Sequence, residues 1–179
     1  MIPTTQSAAL AAFQAATPVG GTWDAGTLPA VLALSGDNLT VTHPSGDAFG
    51  VVTGTATLFA MSSFNLLVNI GASDGVGTGL ANSSVGRSAY LGSDANGAAY
   101  LPDGTVRRNG SNLATGLPTW GNGDQVFMEM SGDNTAFRFK KGVGGAWSSY
   151  ITHGVTGPLI SASYLFYSGH SITANFSSY

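Results

Sequence analysis

Gly71-Ala-Ser-Asp-Gly75 matches G-x-S-x-G, the pattern that presents a nucleophilic serine at a strand-to-helix turn, and it follows a credible strand, Asn65–Ile70. The elbow needs a helix directly after the serine, and Val76-Gly-Thr-Gly79 will not hold one. His153 and His170 are candidate bases, but each stands beside a glycine in a stretch that reads as loop. A turn accounts for the pattern better than a hydrolase does. Glycoside hydrolysis asks for two positioned carboxylates, one with a raised pKa. Asp37, Asp47, Asp74, Asp94, Asp103, Asp124 and Asp133 all lie in Gly- or Asn-containing turns, where Asp accepts backbone hydrogen bonds. Asp24 adjoins Trp23, and Glu129, the only glutamate, is isolated within Val126-Phe-Met-Glu-Met130. Asp94-Ala-Asn-Gly97 and Asp103 offer oxygens to Ca²⁺ without the bidentate Glu of a full calcium loop. His43, His153 and His170 have no metal-ligand spacing, and Gly75-Val-Gly-Thr-Gly79 lacks the Lys and helix of a phosphate loop. No catalytic residue, metal or cofactor is assigned.

The positive signal is for contact. Tyr90, Tyr100 and Trp120 fall in a Gly-, Ser- and Asn-rich region beside Asp94, Asn96, Asp103, Arg107 and Asn109. A sugar is held by an aromatic face under its ring, with carboxylate, amide and guanidinium groups bonding the hydroxyls. Those residue types are all here, so the set is a candidate surface for a glycan or a protein partner. The competing reading makes Tyr90 and Tyr100 core residues of short strands.

Composition points the same way. The chain has 179 residues, enough for one domain with a single core, and 26 are Gly while only 8% are charged. Zero Cys excludes disulfides and thiolate metal sites. The net charge is −3, and neither Arg107-Arg108 nor Arg138/Lys140/Lys141 sits in a basic domain, so nucleic acid is not the expected partner. No stretch reaches the roughly 18 apolar residues of a membrane helix. The N-terminus has no basic segment and carries Gln6 and Gln14, so it reads as retained rather than as a signal peptide. A mean hydropathy of +0.17 with so few charges suits a protein that buries surface in an assembly.

The elements that must position these residues are strands. Residues 4–16 carry the helical stretch, with Leu10 and Phe13 on one face and Pro18-Val-Gly-Gly21 ending it. A helix this short needs a surface to dock on. From Trp23 on, the pattern predicts strands at Val31–Ser35, Leu39–His43, Gly50–Phe59, Asn65–Ile70, Gly77–Ala81, Gln125–Ser131, Thr135–Lys140, Ile160–Tyr167 and Ser171–Phe176. Turn signals stand at Ser35-Gly-Asp-Asn38, Asp103-Gly104, Asn109-Gly110, Gly132-Asp133 and Gly169-His170. The stretch from Gly71 to Trp120 reads as loops and small hairpins at one end, with short strands at Ser88–Leu91, Ala98–Leu101 and Thr105–Arg108.

Two registers follow. Gly132-Asp133 as a two-residue loop pairs Ser131 with Asn134 and sets Met128 opposite Phe137. Val126, Met128, Met130, Phe137 and Phe139 then share one face, with Glu129 on the other, diagonal to Arg138. Ile160–Tyr167 should pair with Ser171–Phe176, which leaves His170 exposed in the turn.

Gly77-Thr-Gly-Leu-Ala-Asn82 followed by the run Tyr90 to Gly110 resembles the middle of SPRY-type, concanavalin-like sandwich modules of bacteriophage virion proteins. Gly123-Asp124 before an apolar strand, Asp133 before Phe137-Arg-Phe-Lys-Lys-Gly142, and the closing run Ser163 to Phe176 are similar too. The first third, Asp24 to Phe59, has fewer aromatic residues than such modules usually carry. The resemblance implies an all-β, two-sheet antiparallel sandwich over residues 22–179, whose loops bind partners and which does no chemistry. Residues 1–21 are expected to be a helical anchoring segment outside it, with Leu10 and Phe13 as assembly contacts.

The expected role is a structural protein of a phage or phage-like virion, a head decoration, fibre or tail-associated protein assembled in the host cytoplasm. Its expected partners are other virion proteins and copies of itself. The alternative is a carbohydrate-binding module that attaches the particle to a host surface glycan, and a glycan esterase or depolymerase ranks last.

Overall fold

The computed structural model describes residues 21–60, 63–69 and 75–176, the backbone alone over 63–69. The helix expected over 4–16, Leu10, Phe13 and the serine of Gly71-Ala-Ser-Asp-Gly75 lie outside the described residues. Among the described residues thirteen strands form two antiparallel sheets. One sheet holds, in order, β1 (Ala33–Leu34), β2 (Thr40–Thr42), β13 (Ser171–Asn175), β4 (Ser63–Asn69), β9 (Gln125–Met130), β10 (Ala136–Lys141) and β11 (Ile151–Thr152). The other holds β3 (Asp47–Leu58), β12 (Leu159–Tyr167), β5 (Val76–Ala81), β6 (Gly97–Tyr100), β7 (Val106–Arg108) and β8 (Ser111–Ala114).

Alternation along the strands builds the core between the sheets. Val126, Met128, Met130, Phe137, Phe139 and Ile172 face Val52, Leu80, Tyr100, Val106 and Leu165 in one cluster. Trp23, fully buried, packs edge-on against Phe176 at 5.2 Å and closes one side. Asp24 then starts a 3-10 turn, Ala25–Thr27, accepting from the Gly26 amide at 2.9 Å and the Thr27 hydroxyl at 2.8 Å. A second cluster lies on the other face of the six-stranded sheet, where Val85 and Leu91 pack with Val51, Ala99, Leu101, Ala162 and Tyr164.

The β9–β10 hairpin keeps the predicted faces but not the predicted register. Phe137 pairs with Met130, Phe139 with Met128, and Arg138 stands directly opposite Glu129. The loop has four residues rather than two. Asn134 takes φ 60° and its amide donates to the Ser131 carbonyl at 3.0 Å. Asp133 accepts from the Ser131 hydroxyl at 2.6 Å, the Thr135 hydroxyl at 2.9 Å and the Thr135 amide at 3.2 Å. These three bonds hold the Asp133 pKa down at about 2. Asx-turn chemistry outweighs the preference for glycine at the first position of a tight turn. A slip of two residues preserves which side chains point inward.

The last two strands do not pair. β12 lies between β3 and β5, whereas β13 lies between β2 and β4 in the opposite sheet. The reason is visible in their burial. β12 is buried over Ser161–Leu165 without interruption, as suits a strand covered on both faces, while β13 alternates buried Ile172 and Ala174 with exposed Thr173 and Asn175. The turn between them crosses sheets, and its backbone is satisfied by β2's end: His43 N–H donates to the His170 carbonyl and Gly169 N–H to the His43 carbonyl, both at 2.9 Å. His170 is therefore buried, edge-on to Tyr167 at 5.5 Å, and not solvent-exposed.

The strands expected at Gly77–Ala81, Ala98–Leu101 and Thr105–Arg108 are present as β5, β6 and β7, and with β8 they supply four of the six strands of one sheet rather than small hairpins at one end. Ser88–Leu91 is not a strand, while β8 and β11 went unseen in the sequence. The β7–β8 connection is the two-residue hairpin that Asn109-Gly110 predicts, with φ 51° and 71°.

Candidate binding surface

The outer face of the six-stranded sheet carries an open aromatic groove of about 250 Å³, lined by Phe49, Gly75, Tyr90, Leu101, Arg107, Tyr164, Phe166 and Tyr167. Tyr164 and Phe166 leave β12 on the side opposite Leu165, and Phe49 leaves β3 beside them. Phe49 is the hub: its ring centroid lies 4.4 Å from Phe166, 5.9 Å from Tyr164 and 6.0 Å from Tyr90. Such tilted pairs add to the burial each ring supplies. Glycine makes the floor possible, because a Cβ on Gly77 would collide with the Tyr164 ring and meet Leu101 at 2.9 Å.

Arg107 is the charged group lining the groove. Its Nε donates to the Asn112 Oδ1 across the β7–β8 pair at 3.0 Å, which fixes the guanidinium plane. Among the described residues the lining holds no carboxylate, imidazole or serine. An apolar or aromatic group would fit against the rings, with an anion beside Arg107.

The structure divides the sequence-predicted residues into four groups. Tyr90 and Arg107 reach the groove. Asp94, Asn96 and Asn109 form a knot that holds it. Asp94 accepts from the Gly86 amide at 3.0 Å and the Asn96 amide at 2.8 Å, and its carbonyl takes the Asn109 amide at 2.9 Å. The Asn96 amide group donates to the Ser84 carbonyl at 3.2 Å and accepts from Asn82 at 3.2 Å. Asp103 stays in its own turn, bonded to the Thr105 amide and hydroxyl at 2.9 and 2.6 Å.

Tyr100 and Trp120 belong to the core and offer no platform. Trp120 is 3% exposed and Tyr100 fully buried, their rings 5.7 Å apart between the sheets. The Tyr100 hydroxyl donates to the Pro118 carbonyl, and burial, then the Asp124 charge, raises its pKa. A glycan face built on Trp120 is therefore not assembled. The histidines read as loop residues are buried as well. His153 stacks on Phe137 at 5.7 Å, its Nδ1 accepting from the Val155 amide at 3.1 Å and its Nε2 lying 3.1 Å from the Asn134 carbonyl.

Sequence reasoning missed Phe49, Tyr164, Phe166 and Tyr167. The signal was present in Ser163-Tyr-Leu-Phe-Tyr167, where large apolar residues at consecutive positions demand burial on both faces.

A two-sheet antiparallel sandwich with its strands in this order is a SPRY-like, concanavalin-type fold. The SPRY domain of human HERC1 matches at TM-score 0.71 and 14% identity, covering 86% of this chain and 96% of that one. The TRIM65 PSpry domain matches at 0.68 and 12%, covering 87% and 91%. Stonustoxin matches at 0.65 and 19%, covering 87% of this chain and 27% of its own. At these identities the likeness is one of fold. No protein-family model and no curated protein matches the sequence.

Proposed function

We propose that the chain is a non-catalytic recognition sandwich of a phage or phage-like virion, holding a protein partner in the aromatic groove. The observation that carries recognition is the groove itself: clustered rings and one oriented cation, with no carboxylate, imidazole or serine among the described lining residues. The occupant that fits is a peptide segment with an apolar or aromatic side chain next to a carboxylate. The virion setting rests on the sequence resemblance, supported by the sparse charge of the chain. In that setting the segment 1–21, with Leu10 and Phe13, is the proposed anchor.

The groove reading is tested by placing a photo-crosslinking residue at Tyr90 in chain expressed during particle production. Crosslinks to one structural protein, absent when the probe stands at exposed Asp37, are expected. Equal labelling from both positions would overturn the groove as the contact surface. Attachment to a host glycan remains the second reading of the same module, but it needs a platform other than Tyr100 and Trp120.

A further inference from the structure

The seven-stranded sheet carries a second cluster on its outer face, opposite the groove. Phe127 and Glu129 on β9 and Arg138 and Lys140 on β10 alternate with the core residues Val126, Met128, Phe137 and Phe139, so they point outward together. The loop after β10 returns over them and contributes Trp147 and Tyr150. The Arg138 guanidinium lies 4.9 Å from the centre of the Trp147 ring and 4.8 Å from that of Tyr150. The Lys140 ammonium lies 4.7 Å from the Phe127 ring and 4.9 Å from Trp147.

The charges in this corner do not cancel. Arg138 is paired with Glu129 at 2.6 Å, and Tyr150 donates to the same carboxylate oxygen at 2.8 Å. Lys141 is paired with Asp124 at 2.8 Å. Lys140 has no carboxylate within ion-pair distance among the described residues; its ammonium donates to the Val143 carbonyl at 3.2 Å. An acidic protein thus keeps one uncompensated cation in this corner, beside the Phe127 and Trp147 rings, with the 43% exposed Tyr150 against the neighbouring Arg138.

The register places Gln125 on β9, Thr173 and Asn175 on β13 and Thr40 on β2 on the same face as Lys140 and Phe127, across the backbone of β4. Four strands span about 14 Å at ordinary strand spacing, long enough for an oligosaccharide.

We infer that this face is a second binding site, for an acidic saccharide whose ring lies against Trp147 and Tyr150 and whose carboxylate pairs with Lys140. A single unpaired cation suits a sugar carboxylate better than a nucleic-acid backbone, which needs a row of them. The aromatic rings supply the apolar face that a free inorganic anion would not use. The inference is independent of the groove and of the virion setting.

The test is calorimetric titration of the whole chain with tetragalacturonate and with sialyllactose, against maltotetraose and lactose as neutral counterparts. Saturable binding to one acidic sugar is expected, about tenfold or more weaker for the neutral one and for Lys140→Gln, since each loses a charge-assisted contact. Trp147→Ala should weaken it at least as far, and Arg107→Glu in the groove should leave it unchanged. Lys140→Gln removes the charge while keeping a polar side chain only one atom shorter, and so separates lost charge from a loosened loop. No saturable binding to either acid, equal binding to a neutral sugar, or indifference to Lys140→Gln would overturn the inference.

Discussion

At the scale of single residues, the groove depends on Gly77 and the β10–β11 end of the sandwich on His153. Gly77→Ala puts a methyl group into the Tyr164 ring and should cost about 1–3 kcal/mol as overpacking. Thermal unfolding and near-ultraviolet circular dichroism would report both the loss and the displaced tyrosine; an unchanged melting temperature would contradict the packing. Burial, the largest influence, together with the Arg108 charge holds the His153 pKa below its ordinary value, against the opposing pull of the Asn134 carbonyl and Asp133. The unfolded chain therefore takes up this proton at a higher pH than the folded one. The stability from neutral His153 is full above about pH 6.5 and is lost as pH falls toward the folded pKa. His153→Phe should flatten the fall in urea-unfolding free energy between pH 7.5 and 5, while lowering stability at pH 7.5 by about 1–3 kcal/mol through the orphaned Val155 amide. An unaltered slope would remove His153 as its source. Residue type alone picked out Tyr90 and Arg107, which line the groove, together with Tyr100 and Trp120, which are buried in the core. An aromatic ring is equally at home in a core and at a contact face, so only the parity of its strand decides which it serves.

At the scale of elements, the hairpin of β9 and β10 separates what alternation specifies from what turns specify. Period-two patterning put Val126, Met128, Met130, Phe137 and Phe139 on one face, and the structure keeps them there. The pairing partner was set by Asp133 and Asn134, whose local bonds no periodicity reveals. The observed register brings Glu129 and Arg138 directly across from each other. A double-mutant cycle with Glu129→Gln and Arg138→Gln should give a coupling of about 0.5–1 kcal/mol, for a partly exposed cross-strand pair. Zero coupling would argue that the register differs in solution. β12 and β13 teach a related lesson. Proximity in sequence suggested a hairpin, but a strand buried on both faces and one wet on a single face belong in differently covered sheets.

At the scale of the whole molecule, the all-β sandwich was legible because Gly- and Asp-rich turns punctuate short alternating runs throughout. Which loops and faces gather into a site was not, because that depends on strand order, and the order β3-β12-β5-β6-β7-β8 joins segments more than a hundred residues apart. Strand order brings Phe49 beside Phe166 and sets Arg107 at the rim of their groove. The same architecture gives the chain two outer faces of different character, one aromatic with a single arginine, the other polar with an unpaired lysine beside Trp147. On the proposed reading both faces serve contact rather than chemistry. The most direct test is the copy number of the chain in purified phage particles, counted by quantitative mass spectrometry for the wild type and for Arg107→Glu. The account predicts a fixed stoichiometry with the major structural proteins, and at least a tenfold drop for the variant at unchanged melting temperature, as loss of the oriented charge contact requires. Particles that lack the wild-type chain, or carry the variant at full copy number, would contradict it.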